Sequence, residues 1–172
     1  MTQAWKIALI AIAVITIPVF YTLEVNPLNR TLHAGRMMAI SLIIGLAIGI
    51  LLGYYFQKTA TEIVERIRTY AVCIMLSALV LPLLVSLSNR LLSFQAVENI
   101  PIEFVEESPR YSSRFGAYEA AQADSYVTFF YKAEQLHRIQ TPQSIFPNAQ
   151  RGDQGKLPIK KGLWGFEIVQ QP

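Results

Sequence analysis

An α+β membrane protein, with three transmembrane helices followed by a small β-rich extramembrane domain, is the fold class that this sequence predicts. Two observations carry the expectation. Residues 4–23, 37–56 and 70–88 are almost free of charge, and each is close to the ~20 apolar residues that cross a ~30 Å hydrocarbon core as a helix. Beyond residue 94 the pattern changes to short alternating and β-branched runs separated by turn residues. The expected division is a three-helix membrane unit over residues 1–94 and a β-rich domain over residues 95–172. A domain that small buries little apolar area against its ordering entropy, so it leans on the membrane unit or on a partner.

The first apolar run follows Lys6 and ends in Tyr21-Thr22-Leu23-Glu24-Val25. It is long for a signal-peptide core and lacks a small-residue cleavage site, so it reads as an uncleaved signal-anchor helix. Pro18 predicts a kink near its end. Residues 24–36, with Asn26-Pro27 and Asn29, read as a simple loop.

In the second run Ser41, Gly45, Gly49 and Gly53 recur every four residues. They share one helical face and allow a neighbouring backbone to approach closely. That neighbour is either a helix of the same chain or another subunit, and the spacing alone fits both. Thr59 and Glu62 fit a capping box ahead of the third helix, with Glu62 and Arg66 as an i,i+4 pair. Pro82 predicts a bend at mid-depth in the third run. Cys73 lies in the same run and reads as a small buried hydrophobe.

In the tail, residues 100–104 alternate as a strand, and residues 125–131 are β-branched or aromatic on both faces, the mark of a central strand. Residues 156–160 and 163–169, joined at Lys161-Gly162, read as a closing hairpin. Pro158 places its strand at an edge, and Trp164, Phe166 and Ile168 share a face. Residues 116–124 read as a short helix or a loop.

Positive charge near the membrane sets orientation. Lys6, Lys58, Arg66 and Arg68 collect on the N-terminal side, against Arg30, Arg36 and Arg90 on the other. Three crossings then put the N-terminus in the cytoplasm and the C-terminal domain outside it. The net charge of +3 is spread out, with Lys160-Lys161 as the longest basic run. Nucleic-acid binding is unsupported, and attraction to anionic lipid is the economical reading.

No Ser-His-Asp, metal-ligand or phosphate-loop spacing appears, and the three spans carry no Asp, Glu, Lys, Arg or His apart from Lys6 at the first entry. That argues against a self-sufficient pump. A two-histidine site with His33, His137 and Asp124 or Glu134 is not required by any spacing. Glu106 and Glu107 are strand neighbours that point to opposite faces, so they do not form an acid/base pair. Arg110 and Arg114, among several hydroxyls, could hold a phosphate or carboxylate. Arg151-Gly152-Asp153 reads as turn chemistry.

The sequence therefore predicts no enzyme and no cofactor. The leading expectation is a membrane-anchored interaction module or accessory subunit. Its partners are the lipid bilayer and other membrane subunits or copies of itself. The stripe at Ser41, Gly45, Gly49 and Gly53 serves as packing interface, and Trp164 and Phe166 as a candidate partner surface. The alternative is an extracytoplasmic sensor that binds a small anion or envelope component through Arg110 and Arg114.

Overall fold

The computed structural model describes residues 3–59, 62–111 and 123–170. They form α1 (Gln3–Asn29), α2 (Ala34–Phe56), α3 (Ile63–Leu91), β1 (Val97–Arg110), β2 (Ser125–Lys132), β3 (Gln135–Thr141), β4 (Gln154–Lys161) and β5 (Glu167–Val169). The chain divides into two compact units, Met1–Val25 with Gly35–Leu91, and Asn26–Ala34 with Leu92–Pro172. The segment joining α1 to α2 thus belongs with the β-rich tail.

Among the described residues, two helices, α2 and α3, are long and apolar enough to cross a membrane. Three crossings were expected, and α1 does not supply the third on this measure. It extends over 27 residues, from an apolar run through Glu24 and Asn26 to Asn29. The loop expected at residues 24–36 is helical as far as Asn29 and again from Ala34. The terminal carbonyls of α1 find donors, with Arg30 N and Thr31 Oγ1 both donating to Pro27 O.

In the helical unit the residues buried along α2 are Met37, Ser41, Gly45, Gly49 and Gly53. Large side chains such as Ile43, Ile50 and Leu51 face outward. Small residues inside and leucine and isoleucine outside is the arrangement of a helix whose solvent is lipid. The stripe faces α3 of the same chain in antiparallel register. A Cβ added at Gly45 would meet Ser77 O at 2.7 Å, one at Gly49 would meet Ile74 Cα at 2.5 Å, and one at Gly53 would meet the Tyr70 ring at 2.5 Å. Ser41 Oγ instead bonds back to Met37 O and Met38 O, at 2.9 and 3.0 Å.

On α3, the side chain of α1 residue Tyr21 donates to Leu79 O at 2.6 Å. Glu24, 1% exposed, accepts from Ser86 Oγ and from Arg90 Nη2, both at 2.9 Å. The contacts rise together along both helices, so these parts of α1 and α3 run parallel. The first turn of α3 opens at Glu62, whose carbonyl accepts from Arg66 N. The helix therefore starts three residues after the expected cap at Thr59.

The β unit is a curled antiparallel sheet with strand order β3-β2-β1-β4-β5. The β2 strand lies inside the sheet, with Phe130 fully buried and Phe129 half-buried. The β2–β3 turn places Ala133 and Glu134 at φ of 47° and 65°, the backbone of a two-residue hairpin without its usual glycine or asparagine. β4 is flanked by β1 and β5, so Pro158 is not on an edge strand. Its carbonyl accepts from Gln170 N on the β5 side. Its nitrogen faces that side too, just past the β5 pairing that begins at Ile159↔Val169, and no ladder bond is lost.

The core gathers Leu32, Ile102, Phe130, Ile139, Leu157, Ile159 and Val169. Phe146 closes over it against Phe104, with ring centroids 5.6 Å apart. It fits because Gly155 has no Cβ, which would stand 2.9 Å from that ring.

Candidate functional site

The site starts from how the sheet closes. Residues 30–32 add to the free edge of β5: Val169 N donates to Arg30 O at 3.0 Å, Leu32 N donates to Glu167 O at 2.8 Å, and Thr31 bridges Ile168. Burying Leu32, 2% exposed, holds this short strand in place. The chain then turns at His33, whose φ is 58°; histidine is one of the few residues enriched in that conformation. The turn carries the His33 ring onto His137 of β3, with centroids 5.0 Å apart and planes at 76°. The segment between α1 and α2 thus spans the gap from β5 to β3 and makes the sheet barrel-like.

His137 stands at this seam, 8% exposed and stacked on Phe130 at 5.8 Å. Lys132 of β2 and Glu167 of β5 form an ion pair beside it. Burial pushes the His137 pKa below its ordinary 6.5, and the charges of His33 and Lys132 push the same way while Glu167 opposes them. These surroundings favour the uncharged imidazole. Protonation would place a cation between His33 and Lys132 at the point where the sheet is joined. Chemically, the cluster is suited to respond to acid.

The two histidines therefore meet, with Lys132 and Glu167 beside them rather than Asp124 or Glu134. Asp124 N bonds Arg110 O at the other end of β1. Glu134 lines an open cavity of about 450 Å³ with Glu103, Tyr131 and Gln154. Among the described residues, no group of three or more His, Cys, Asp or Glu side chains is placed to hold a metal ion.

Arg110 ends β1, exposed, opposite Ser125, and Arg114 lies outside the described residues, as does most of the stretch 116–124. Glu106 and Glu107 are separated in role by a bulge, where β1 shifts register between Phe104 and Glu106. The extra residue, Val105, turns Glu107 to the face that carries Thr128 and Phe130. There Glu107 accepts from Thr128 Oγ1 at 2.8 Å, from Ile145 N at 3.1 Å and from the Ser144 hydroxyl, anchoring the loop that carries Phe146. This is a structural carboxylate, and Glu106 accepts separately from Ser108 at 2.8 Å.

Trp164 and Phe166 do not lie on a strand, because β5 begins only at Glu167. They belong to a tip closed by Gly162 N to Phe166 O at 2.9 Å and Gly165 N to Gly162 O at 3.0 Å, with Gly165 at φ 83°. Trp164 is 56% exposed and Phe166 is half-buried. Sequence reasoning missed the imidazole seam and the Glu24 cluster. The only signal for either was one acidic residue at the end of an apolar run, and two histidines with no spacing to relate them.

No family model matches this chain, and comparison with curated proteins and with solved structures returns no match.

Proposed function

We propose that this chain is a non-catalytic, membrane-anchored interaction module, an accessory subunit of a larger membrane assembly. The observation that supports the reading is the inclusion of Asn26–Ala34 in the β unit. One folded body is joined to apolar helices at three points of the chain: the end of α1, the start of α2 and the end of α3. A simple tether needs one junction. Three junctions suit a folded module that the membrane helices carry as an integral part rather than as an appended tail. The glycine stripe faces α3, so an assembly surface is to be sought on the outer faces of the helices or on the β unit.

The compartment belongs to the same proposal. The parallel course of α1 beside α3 carries Lys6 toward the side of Lys58, Arg66 and Arg68, which favours that side as cytoplasmic and the β unit as extracytoplasmic. The third crossing, by α1, is part of this reading. The sensing alternative through Arg110 and Arg114 gains no support from the open cavity, whose described lining does not include Arg110.

Purification of the natively expressed protein from gently solubilised membranes tests the function. A stoichiometric membrane partner is the expected result. Recovery as a solitary monomer at native abundance would overturn it.

A further inference from the structure

The base of the β4–β5 hairpin tip lies beside the first residues of the β unit, with Val97 paired to Lys160. Ser93 Oγ donates to Lys161 O at 2.6 Å, which ties the base of the tip to the chain just past α3, whose last residue is Leu91. Two residues of extended chain reach at most ~7 Å, so the tip is confined near the point where α3 ends. Phe94 is 91% exposed, and Leu92, Val97, Leu163 and Trp164 are exposed with it. The order of residues is unusual for a chain entering water. Asn89 and Arg90 mark a polar exit, and apolar residues then resume at Leu91, Leu92 and Phe94. Lys160 and Lys161 flank the tip.

We propose that Phe94, Leu163 and Trp164 seat in the headgroup layer of the bilayer that α3 crosses, with the exposed Lys161, whose side chain lies beside Gly165 of the tip, facing its anionic lipids. Tryptophan concentrates at that depth because its ring is apolar and its N–H is polar. Lysine stems lie along apolar surface while their ammonium groups reach phosphate. Exposed large apolar residues on two neighbouring segments, with a lysine beside them, fit a lipid surface better than water. The inference rests on α3 crossing the membrane and is independent of any protein partner.

The test uses the full chain carrying Trp5→Phe, so that Trp164 is the only tryptophan, in vesicles of phosphatidylcholine with a minority of phosphatidylglycerol. A nitroxide near the head of the acyl chain should quench Trp164 strongly, one near the chain end should quench it weakly, and aqueous iodide should lose most of its effect. Quenching by iodide alone, by neither class of quencher, or best by the deep nitroxide would overturn the proposal. Nitroxide-labelled Leu163→Cys in a Cys73→Ala background repeats the measurement without altering Trp5. Its label should be more accessible to oxygen than to an aqueous nickel chelate, and the reverse would overturn the proposal. Carbonate extraction of the same vesicles separates the two levels. An embedded chain with a water-exposed Trp164 refutes this inference alone, whereas a chain released by carbonate refutes the membrane reading as well.

Discussion

Replacing Gly49 by alanine should separate α2 from α3. The new Cβ would stand 2.5 Å from Ile74 Cα, 2.9 Å from Cys73 O and 3.1 Å from Ile74 N. Carbon atoms rest at ~3.5–4.0 Å, so the helices must part by ~1 Å at this crossing. All three atoms are backbone, and no rotamer change relieves the clash. Overpacking of this kind costs ~1–3 kcal/mol, against which alanine returns at most ~1 kcal/mol of helix propensity over glycine. A net loss of about 1–2 kcal/mol is expected, and more for Gly49→Leu. At Gly53 the obstacle is the Tyr70 ring, a side chain that can yield, and at Gly35 nothing lies within 4 Å. Thermal unfolding of the purified monomer in detergent should therefore rank Gly49→Ala below Gly53→Ala, with Gly35→Ala at least as stable as the parent. The reasoning is refuted if Gly49→Ala melts with the parent, or if it leaves the monomer intact and dissolves an oligomer instead.

In the β unit, Phe130→Ala should cost ~3–5 kcal/mol and Phe129→Ala clearly less, read as protease susceptibility of the full chain in detergent; equal effects would contradict the assigned faces. The stability of that unit should depend on pH through His137. Its folded pKa is lowered, so the unfolded chain binds the proton more readily. The contribution is fully present above the unfolded value of about 6.5 and is lost as pH falls from there through the folded pKa. His137→Gln should flatten this dependence in a chemical denaturation series; an unchanged slope would assign it elsewhere. Glu24→Ala leaves Ser86 and Arg90 without their acceptor and should cost ~1–3 kcal/mol, since Arg90 is partly exposed. In the Glu24→Ala/Arg90→Ala double variant the losses should be less than additive, and full additivity would deny the pair.

The membrane helices and the β tail were legible because both rest on local periodicity. The glycine face at 45, 49 and 53 could be drawn from spacing, but the neighbour on it depends on which helix packs there, and no spacing reports that. α1 ran past its expected end despite the turn signal Asn26-Pro27, and the donors that close it, Arg30 N and Thr31 Oγ1 on Pro27 O, depend on a conformation that no spacing reports. The strand β3 went unnoticed because its turn, Ala133-Glu134, lacks a glycine. Pro158 was misplaced because the edge rule concerns the side its nitrogen faces, which requires the register. Neighbouring residues Glu106 and Glu107 gave no warning of the bulge that sends Glu107 inward. His33 and His137 meet only because residues 30–32 join β5, a contact between segments far apart in the chain.

We propose that α2 and α3 cross the bilayer, so that the chain leaves α3 for the β unit on the opposite side from the turn joining the two helices. Single cysteines in a Cys73→Ala background, at Lys58 in that turn and at Arg151 in the β unit, test it with a membrane-impermeant maleimide on intact cells. Arg151→Cys should label directly, and Lys58→Cys only after permeabilisation. Labelling of both from the same side would contradict the crossing, and the opposite pattern would reverse the compartment assigned to the β unit.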